Sequence, residues 1–327
     1  MQRIISWCII SGVLFYGFLW ALSIPRHRVE WGISFSHTHA AYLGLPWREV
    51  YVDMLKRFSP KYVRVAALWN EVGGEQDRFD FSSIDFMMDE AAKHGAKVTL
   101  VLGQKAPRWP ECHIPAWAGA ISSTAYESAL ASYLTAVVEH YKEHPALELW
   151  QVENEPFIDF KFGECPLFRD LVSREVMLVR GLDLKHNVMI TDSGELSTWR
   201  KASSAGDILG TTLYRVVQMP GGNILKYDWL PPSVYSLRAR LWGKYDGNWY
   251  VAEAQAEPWF ASEDPRSTPI AVQEKTFSPK RFLHTARYIE RTGASRAYWW
   301  GVEWWYYAEK TFGNSQYLKM ADSIFGE

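Results

Sequence analysis

Short apolar runs alternate with amphipathic stretches along most of the chain. The runs are rich in Val, Ile, Leu and aromatic residues, as in strands buried on both faces, and the stretches between them have helical periodicity. This alternation predicts a parallel sheet with crossover helices. Eight strands are predicted, namely Trp31–Ser36, Tyr62–Trp69, Ala96–Gly103, Leu147–Glu153, Val188–Thr191, Ile208–Tyr214, Trp249–Glu253 and Arg296–Gly301.

The connections between these elements are unequal in length. Helix-to-strand joints are short, whereas the strand-to-helix joints Gly103–Ser123, Glu153–Leu167, Arg215–Pro232 and Ala254–Ser278 are long. In barrels of alternating strands and helices, the elaborated loops follow the strands, on the face that carries active sites. We therefore predict a single (β/α)8 barrel over residues 29–327, a length that suits one such domain.

The N-terminal segment, residues 1–28, is expected to lie apart from the barrel as an apolar helix. Residues 4–24 contain no charged side chain, and about 20 apolar residues can span a bilayer. The segment is interpreted as an uncleaved membrane anchor. The alternative is a signal peptide cleaved after Ser23, where Ala21 and Ser23 form a small-residue site. Both interpretations predict that the domain is exported.

Composition narrows the classes of partner. The chain has 35 Lys and Arg against 37 Asp and Glu, a net charge of −2. Because basic residues are not clustered, no nucleic-acid partner is expected. The 17 Trp residues indicate flat apolar surfaces for a ligand that has apolar faces and polar edges, which describes a sugar.

Two cysteines fall in neighbouring loops on the predicted catalytic face. Cys112 follows the third strand and Cys165 follows the fourth. A disulfide between them is feasible in an oxidising compartment, and two free thiols are the alternative.

Two carboxylates end strands that bring them to the barrel mouth. Glycosidic bond cleavage needs one carboxylic acid to protonate the leaving oxygen and a second carboxylate nearby. Glu155 ends the fourth strand and Glu253 ends the seventh, although Glu257, four residues later, is an alternative to Glu253. Glu153 lies one pleat deeper than Glu155 and is expected to bond to neighbours such as Arg64.

These residues resemble a known clan. Asn154-Glu155-Pro156 after an apolar strand, with a second Glu closing the seventh strand, is similar to the retaining (β/α)8 glycosidases, which include cellulases, β-mannanases, β-galactosidases and β-xylosidases. The resemblance extends from about Trp31 to Tyr307. It implies double displacement on an oligo- or polysaccharide, with Glu155 as general acid/base and Glu253 as nucleophile. Asn154 would hold the sugar 2-hydroxyl.

The same resemblance implies roles for three further positions. Arg64 on the second strand corresponds to an arginine that supports the nucleophile carboxylate, and Tyr214 to a tyrosine that donates to it. Trp300 or Trp299 corresponds to the tryptophan under the reacting sugar. Because side chains alternate along a strand, only one of the two faces inward, and we expect Trp300.

Other residues after strand ends are candidates for substrate contacts, namely His37, Trp69 and Trp109. The sequence has no metal-ligand spacing, serine elbow or dinucleotide fingerprint, so no metal or cofactor is expected. The competing hypothesis is a non-catalytic carbohydrate-binding barrel with the same aromatic cleft. The presence of both Glu155 and Glu253 argues against it.

Overall fold

Eight parallel strands close into a barrel in chain order, and the last of them pairs with the first. The computed structural model describes residues 2–25, 28–108, 110–158, 165, 169–219, 221–245, 247–259 and 264–326, with only the backbone of residues 2–5 and 169. The predicted single (β/α)8 barrel is confirmed. Its strands are β1 (Glu30–Ser34), β2 (Tyr62–Ala66), β3 (Lys97–Leu102), β4 (Leu147–Val152), β5 (Asn187–Asp192), β6 (Ile208–Leu213), β9 (Trp249–Gln255) and β10 (Arg296–Trp300).

Amphipathic helices surround the barrel, and α3 is an example of how they form. Its apolar residues Val50, Met54 and Phe58 recur at helical spacing and are buried. The helices are α1 (Gln2–Ala21), α2 (His37–Tyr42), α3 (Trp47–Phe58), α4 (Trp69–Val72), α5 (Ser82–Lys93), α6 (Ser123–Tyr141), α7 (Arg169–Leu182), α8 (Arg200–Ala205), α9 (Ser233–Leu241), α10 (Ile270–Gln273), α11 (Pro279–Glu290), α12 (Val302–Phe312) and α13 (Gln316–Phe325), with a 3-10 turn at Ala118–Ala120.

The amino-terminal half of the barrel interior is filled by side chains. Tyr62, Met189, Tyr250 and Tyr298 belong to one buried cluster there, and the Arg296 guanidinium lies 3.3 Å from the centroid of the Tyr62 ring. Because this layer closes the floor of the barrel, only the carboxyl ends of the strands are left open to a ligand.

A β-bulge interrupts β9 just before its end. Val251 pairs with Thr211, whereas the next residue of β6, Thr212, pairs with Glu253. The pairing with β10 shifts at the same place. A bulge inserts one extra residue and re-aims the side chains beyond it. Glu253 thereby faces the interior with Thr212, although strict alternation after Tyr250 would turn it outward.

The N-terminal segment differs from expectation. Among the residues that the structure describes, no helix combines the length and apolar character needed to cross a bilayer, so the membrane anchor is not supported. Residues 6–18 of α1 are exposed, and the end of the segment contacts α9 and α11. The Ser233 hydroxyl donates to the Leu19 carbonyl at 2.6 Å, and Arg291 Nε donates to the Ser23 carbonyl at 2.8 Å.

Two further features belong to the long loops. The loop after β6 contains an antiparallel hairpin, β7 (Val216–Gln218) and β8 (Ile224–Lys226), which the sequence did not predict. The predicted Cys112–Cys165 disulfide is present and joins the loops after β3 and β4, with 5.0 Å between the Cα atoms.

Candidate active site

Glu253 is buried at the end of β9 with both carboxylate oxygens bonded. Arg64 Nη1 donates to Oε1 at 3.0 Å, and the Tyr214 hydroxyl donates to Oε2 at 2.9 Å. The two donors come from β2 and from the end of β6. Both residues lie where the sequence predicted them to lie, beside this carboxylate.

Arg64 also fixes the residues that end β4. Its Nε donates to Gln151 Oε1 at 2.8 Å, and its Nη2 donates to Asn154 Oδ1 at 3.1 Å. The Thr191 hydroxyl lies 3.3 Å from the same Oδ1. Because Oδ1 accepts these bonds, the amide nitrogen of Asn154 remains as the donor for a ligand.

Glu155 lies directly after Asn154 in a left-handed backbone conformation, with φ of 44°. Its backbone N–H donates to Thr191 Oγ1 at 2.9 Å, and the Thr212 hydroxyl donates to its Oε1 at 3.2 Å. Burial raises the pKa of Glu155 well above its usual value, and the negative charges of Glu253 and Glu111 raise it further. Lys105 opposes them. A carboxyl group in this position holds its proton to unusually high pH.

Glu153 has partners other than those predicted. Its carboxylate accepts from the backbone N–H groups of Gln104 at 2.7 Å and Lys105 at 2.8 Å, so the expected bond to Arg64 is wrong. Burial raises the pKa of Glu153 to about 7, and it is bonded to Glu175 of α7. Glu153 therefore ties the end of β4 to the loop after β3.

Glu257, the alternative nucleophile, lies in a different environment. Its carboxylate accepts from Arg108 Nη1, and Arg108 Nη2 donates to Glu303 at 2.6 Å. The Arg108 guanidinium carbon lies 4.0 Å from the centroid of the Trp300 ring. Sequence reasoning missed Arg108 and Glu303, because neither ends a strand or belongs to a motif.

The two tryptophans that end β10 point to opposite sides. Trp300 lies in register with Ser34 of β1 and lines a cavity at the barrel mouth. Trp299 is fully buried and stacks on Trp31, with 5.0 Å between ring centroids. The inward position therefore belongs to Trp300, as the alternation of side chains predicts.

A cavity opens beside these residues. His37 lines it, and its Nε2 lies 2.5 Å from Glu71 Oε2. Arg64, Arg108 and Trp300 also contribute to the walls. The cavity is thus bounded both by Arg64, which contacts Glu253, and by Arg108.

The remaining predicted aromatic contacts divide into two cases. Trp69 is fully buried and stacks on Tyr133, so its ring offers no surface to a sugar and the prediction fails for this residue. Side-chain type alone does not distinguish a packed tryptophan from an exposed one, so the sequence does not separate core tryptophans from platforms for a sugar. Trp109 lies outside the described residues.

Thr191 and Thr212 are functional candidates that the sequence analysis did not name. Both hydroxyls bond to the Asn154–Glu155 pair, and both residues are buried on inward positions of β5 and β6. Alternation along those strands could have identified them. In the described part of the chain, no group of three or more His, Cys, Asp or Glu side chains is arranged to hold a metal ion.

Comparison with known proteins agrees with this geometry. The family model of glycosyl hydrolase family 10 matches residues 64–176, a part of the chain that runs from β2 into α7 and includes Glu155. A GH5_18 protein from Streptomyces cattleya, solved in complex with GlcNAc, has a TM-score of 0.61 at 12% identity and is similar in fold. The match covers 84% of this chain and 70% of that chain. At the level of the clan, the chain is similar to the (β/α)8-barrel glycoside hydrolases.

Curated relatives are similar to this chain over shorter stretches. β-Galactosidase LacZ of Heyndrickxia coagulans is 25% identical over 134 residues, which are 33% of this chain and 19% of that protein. The probable mannan endo-1,4-β-mannosidase A-1 of Aspergillus terreus is 27% identical over 122 residues, which are 34% of this chain and 30% of that protein. The domain therefore spans less than a third of the length of either relative.

Proposed function

We propose that this protein is a retaining O-glycoside hydrolase that acts on an oligo- or polysaccharide by double displacement. Glu155 is the general acid/base and Glu253 the nucleophile. The observation that carries the proposal is the coupling of the two carboxyl groups. The charge of Glu253 raises the pKa of Glu155. Arg64 donates to one oxygen of Glu253, and Tyr214 donates to the other.

In the first step, the Glu155 carboxyl group protonates the glycosidic oxygen as the Glu253 carboxylate attacks the anomeric carbon. The bond to the leaving group breaks, and an ester forms between the sugar and Glu253. In the second step, Glu155, now a carboxylate, takes a proton from water. That water attacks the anomeric carbon, which releases the sugar and restores both carboxyl groups.

The neighbouring residues support these steps. Arg64 and Tyr214 orient the attacking oxygen of Glu253, and a preorganised donor set of this kind requires no rearrangement during reaction. The Asn154 amide nitrogen is available to the sugar 2-hydroxyl, where hydrogen bonds strengthen in the transition state.

The test uses aryl glycosides with good and poor leaving groups. Glu155→Gln should lower kcat by about 10²–10⁴-fold on a poor leaving group, because that reaction needs an acid, and far less on dinitrophenyl glycosides. Glu253→Ala should be inactive, and azide should restore turnover with a glycosyl azide of inverted configuration. Glu257→Gln is the matched control and should keep the nucleophilic step.

Several outcomes would contradict the assignment. Full activity of Glu155→Gln on the poor leaving group would contradict the assignment of Glu155 as the acid. Full activity of Glu253→Ala would contradict the assignment of Glu253 as the nucleophile. A product of inverted configuration from the wild-type protein would exclude double displacement. Sugar binding without any turnover would instead favour a non-catalytic carbohydrate-binding barrel.

We also propose that the domain is exported. The disulfide between Cys112 and Cys165 supports this, since such bonds persist in oxidising compartments. Mass spectrometry of the protein isolated from its native cells should find these two cysteines linked. Free thiols at both positions would contradict export.

A further inference from the structure

Arg108 occupies an unusual position above the ring of Trp300. It lies in the loop after β3 with φ of 85°, a left-handed conformation that is strained for a non-glycine residue. Its side chain is buried and is held by Glu257 and Glu303. The loop backbone, Glu257 from the loop after β9 and Glu303 from the first turn of α12 therefore fix the guanidinium at the cavity wall.

The charge of Arg108 is cancelled by its own partners. Two carboxylates surround one guanidinium, and the second oxygen of Glu303 accepts from the Ser36 backbone N–H. His39 Nε2 lies 4.0 Å from Glu257, but burial and the charge of Arg108 lower the pKa of His39 well below its usual value. His39 therefore adds no positive charge at neutral pH.

The other cations of the described site are paired as well. Arg64 contacts Glu253 at 3.0 Å, and Lys105 contacts Glu111 at 3.0 Å. A carboxylate entering the cavity would thus meet no uncompensated cation among the described residues. It would instead approach the negative charges beside Arg108, which repel it.

One polar atom of Arg108 remains available. Within the described part of the chain, its Nε is buried and has no hydrogen-bond partner. A buried donor left without a partner destabilises the protein, and an acceptor on a ligand can offset that cost. Arg108 lines the cavity together with Trp300 and His37, so this donor belongs to a residue of the cavity wall.

We propose that Arg108 is a specificity-determining residue that donates from Nε to a hydroxyl of the sugar in this cavity. Its neutralisation by Glu257 and Glu303 makes the cavity a subsite for an uncharged sugar and disfavours a uronic acid. The inference rests on the proposed glycoside hydrolase function and deepens it by naming the class of sugar.

The experiment compares 4-nitrophenyl glycosides of glucose, galactose and mannose with their uronic-acid counterparts. The wild-type protein should cleave a neutral glycoside best. Arg108→Ala should raise KM for that glycoside about tenfold, with a smaller change in kcat, as expected for a lost hydrogen bond of about 1.4 kcal/mol. In Glu257→Gln/Glu303→Gln, the charge of Arg108 is uncompensated. The kcat/KM ratio of uronide to neutral glycoside should then rise at least about tenfold.

Arg57→Ala is the matched control. Arg57 also pairs with a carboxylate, Asp322, and lies over an aromatic ring, Phe58, but it is at the end of α3 that precedes β2, away from the barrel mouth. Its substitution should leave both KM and the uronide ratio unchanged. Circular dichroism checks that each variant folds, and single Glu257→Gln carries the same comparison if the double variant does not fold.

The inference is overturned if the wild-type protein prefers a uronide, if folded Arg108→Ala keeps its KM, or if the uronide ratio is unchanged in the Gln variants. Should the wild-type protein cleave no glycoside, the proposed function fails separately. In that case, calorimetry measures the binding of the neutral sugars and of their uronates to the wild-type protein and to Arg108→Ala. This measurement tests the inference about Arg108 independently of catalysis. Equal affinity for the two sugar classes would overturn it.

Discussion

At the residue scale, the protonation of Glu155 is governed by a small set of charges. Burial raises its pKa most, and the negative charges of Glu253 and Glu111 raise it further, whereas the positive charge of Lys105 lowers it. Because Glu155 serves as an acid only while it holds its proton, activity is lost as pH rises through its raised pKa. The alkaline limb of the pH profile therefore reports this residue.

We predict that this limb can be moved in both directions. Glu111→Gln removes a negative charge, so the pKa of Glu155 falls and the alkaline limb of kcat/KM moves to lower pH. Lys105→Met removes a positive charge and moves the limb to higher pH. The measurement is kcat/KM against pH with a poor leaving group.

The exposed pair Glu139 and Lys142 on α6 provides matched controls, since its atoms lie 2.7 Å apart but far from the mouth. Glu139→Gln and Lys142→Met should leave the profile in place. Shifts in the same direction for Glu111→Gln and Lys105→Met would contradict the electrostatic account.

At the element scale, the loops after β3 and β4 behave as one unit. The left-handed non-glycine residues include Arg108 and Glu111 in the first loop and Glu153 and Glu155 in the second. Such conformations persist only where surrounding contacts over-determine them. Here the Glu153 carboxylate provides those contacts by binding the backbone of the first loop.

Gly103 is required for this junction. Its φ is 128°, and an added Cβ would lie 2.5 Å from Glu153 Oε1. We predict that Gly103→Ala lowers the free energy of unfolding by about 3 kcal/mol, from backbone strain and overpacking together, and abolishes activity. Urea denaturation and a glycosidase assay measure the two effects.

Gly95→Ala is the control for this prediction. Gly95 also has positive φ, 72°, but no atom lies within 4 Å of the added Cβ. Its substitution should cost about 1 kcal/mol and leave activity intact. Equal losses for the two glycines would show that Glu153 does not depend on the space at Gly103.

The sequence predicted elements better than it predicted the contacts in their loops. Apolar runs typical of strands buried on both faces, together with long strand-to-helix joints, predicted the barrel. The alternation of side chains along a strand predicted that Trp300 faces inward. The hairpin β7–β8 was missed because Val216–Gln218 and Ile224–Lys226 are short and partly exposed. The partners of Glu153 were missed because backbone N–H groups in a loop leave no pattern of residue types.

At the scale of the whole molecule, the site depends on barrel closure and on a covalent bond between loops. Arg64, Glu155, Tyr214 and Glu253 come from β2, β4, β6 and β9 or their ends, and these strands surround one mouth only when the barrel is closed. Cys112 and Cys165 then connect the loop that carries Glu111 to the loop that follows Glu155. Folding and catalysis should therefore respond together to loss of the disulfide.

We predict that Cys112→Ser/Cys165→Ser lowers the free energy of unfolding by about 4 kcal/mol, the entropic value for a loop of 53 residues. Thermal unfolding with and without a reductant measures it. The reductant should destabilise the wild-type protein and leave the double variant unchanged. Cys8→Ser, at an exposed free cysteine, is the control and should respond to the reductant as the wild-type protein does.

The bulge in β9 also affects how this chain is compared with others. Two residues, Ala252 and Glu253, occupy the length that one residue occupies in the neighbouring strands. In a homologue without the bulge, an ungapped alignment from Val251 onward would place that protein's inward carboxylate opposite Ala252. A one-residue gap at this position is needed before Glu253 is matched with its counterpart, and substitutions inferred without the gap would concern the wrong residue.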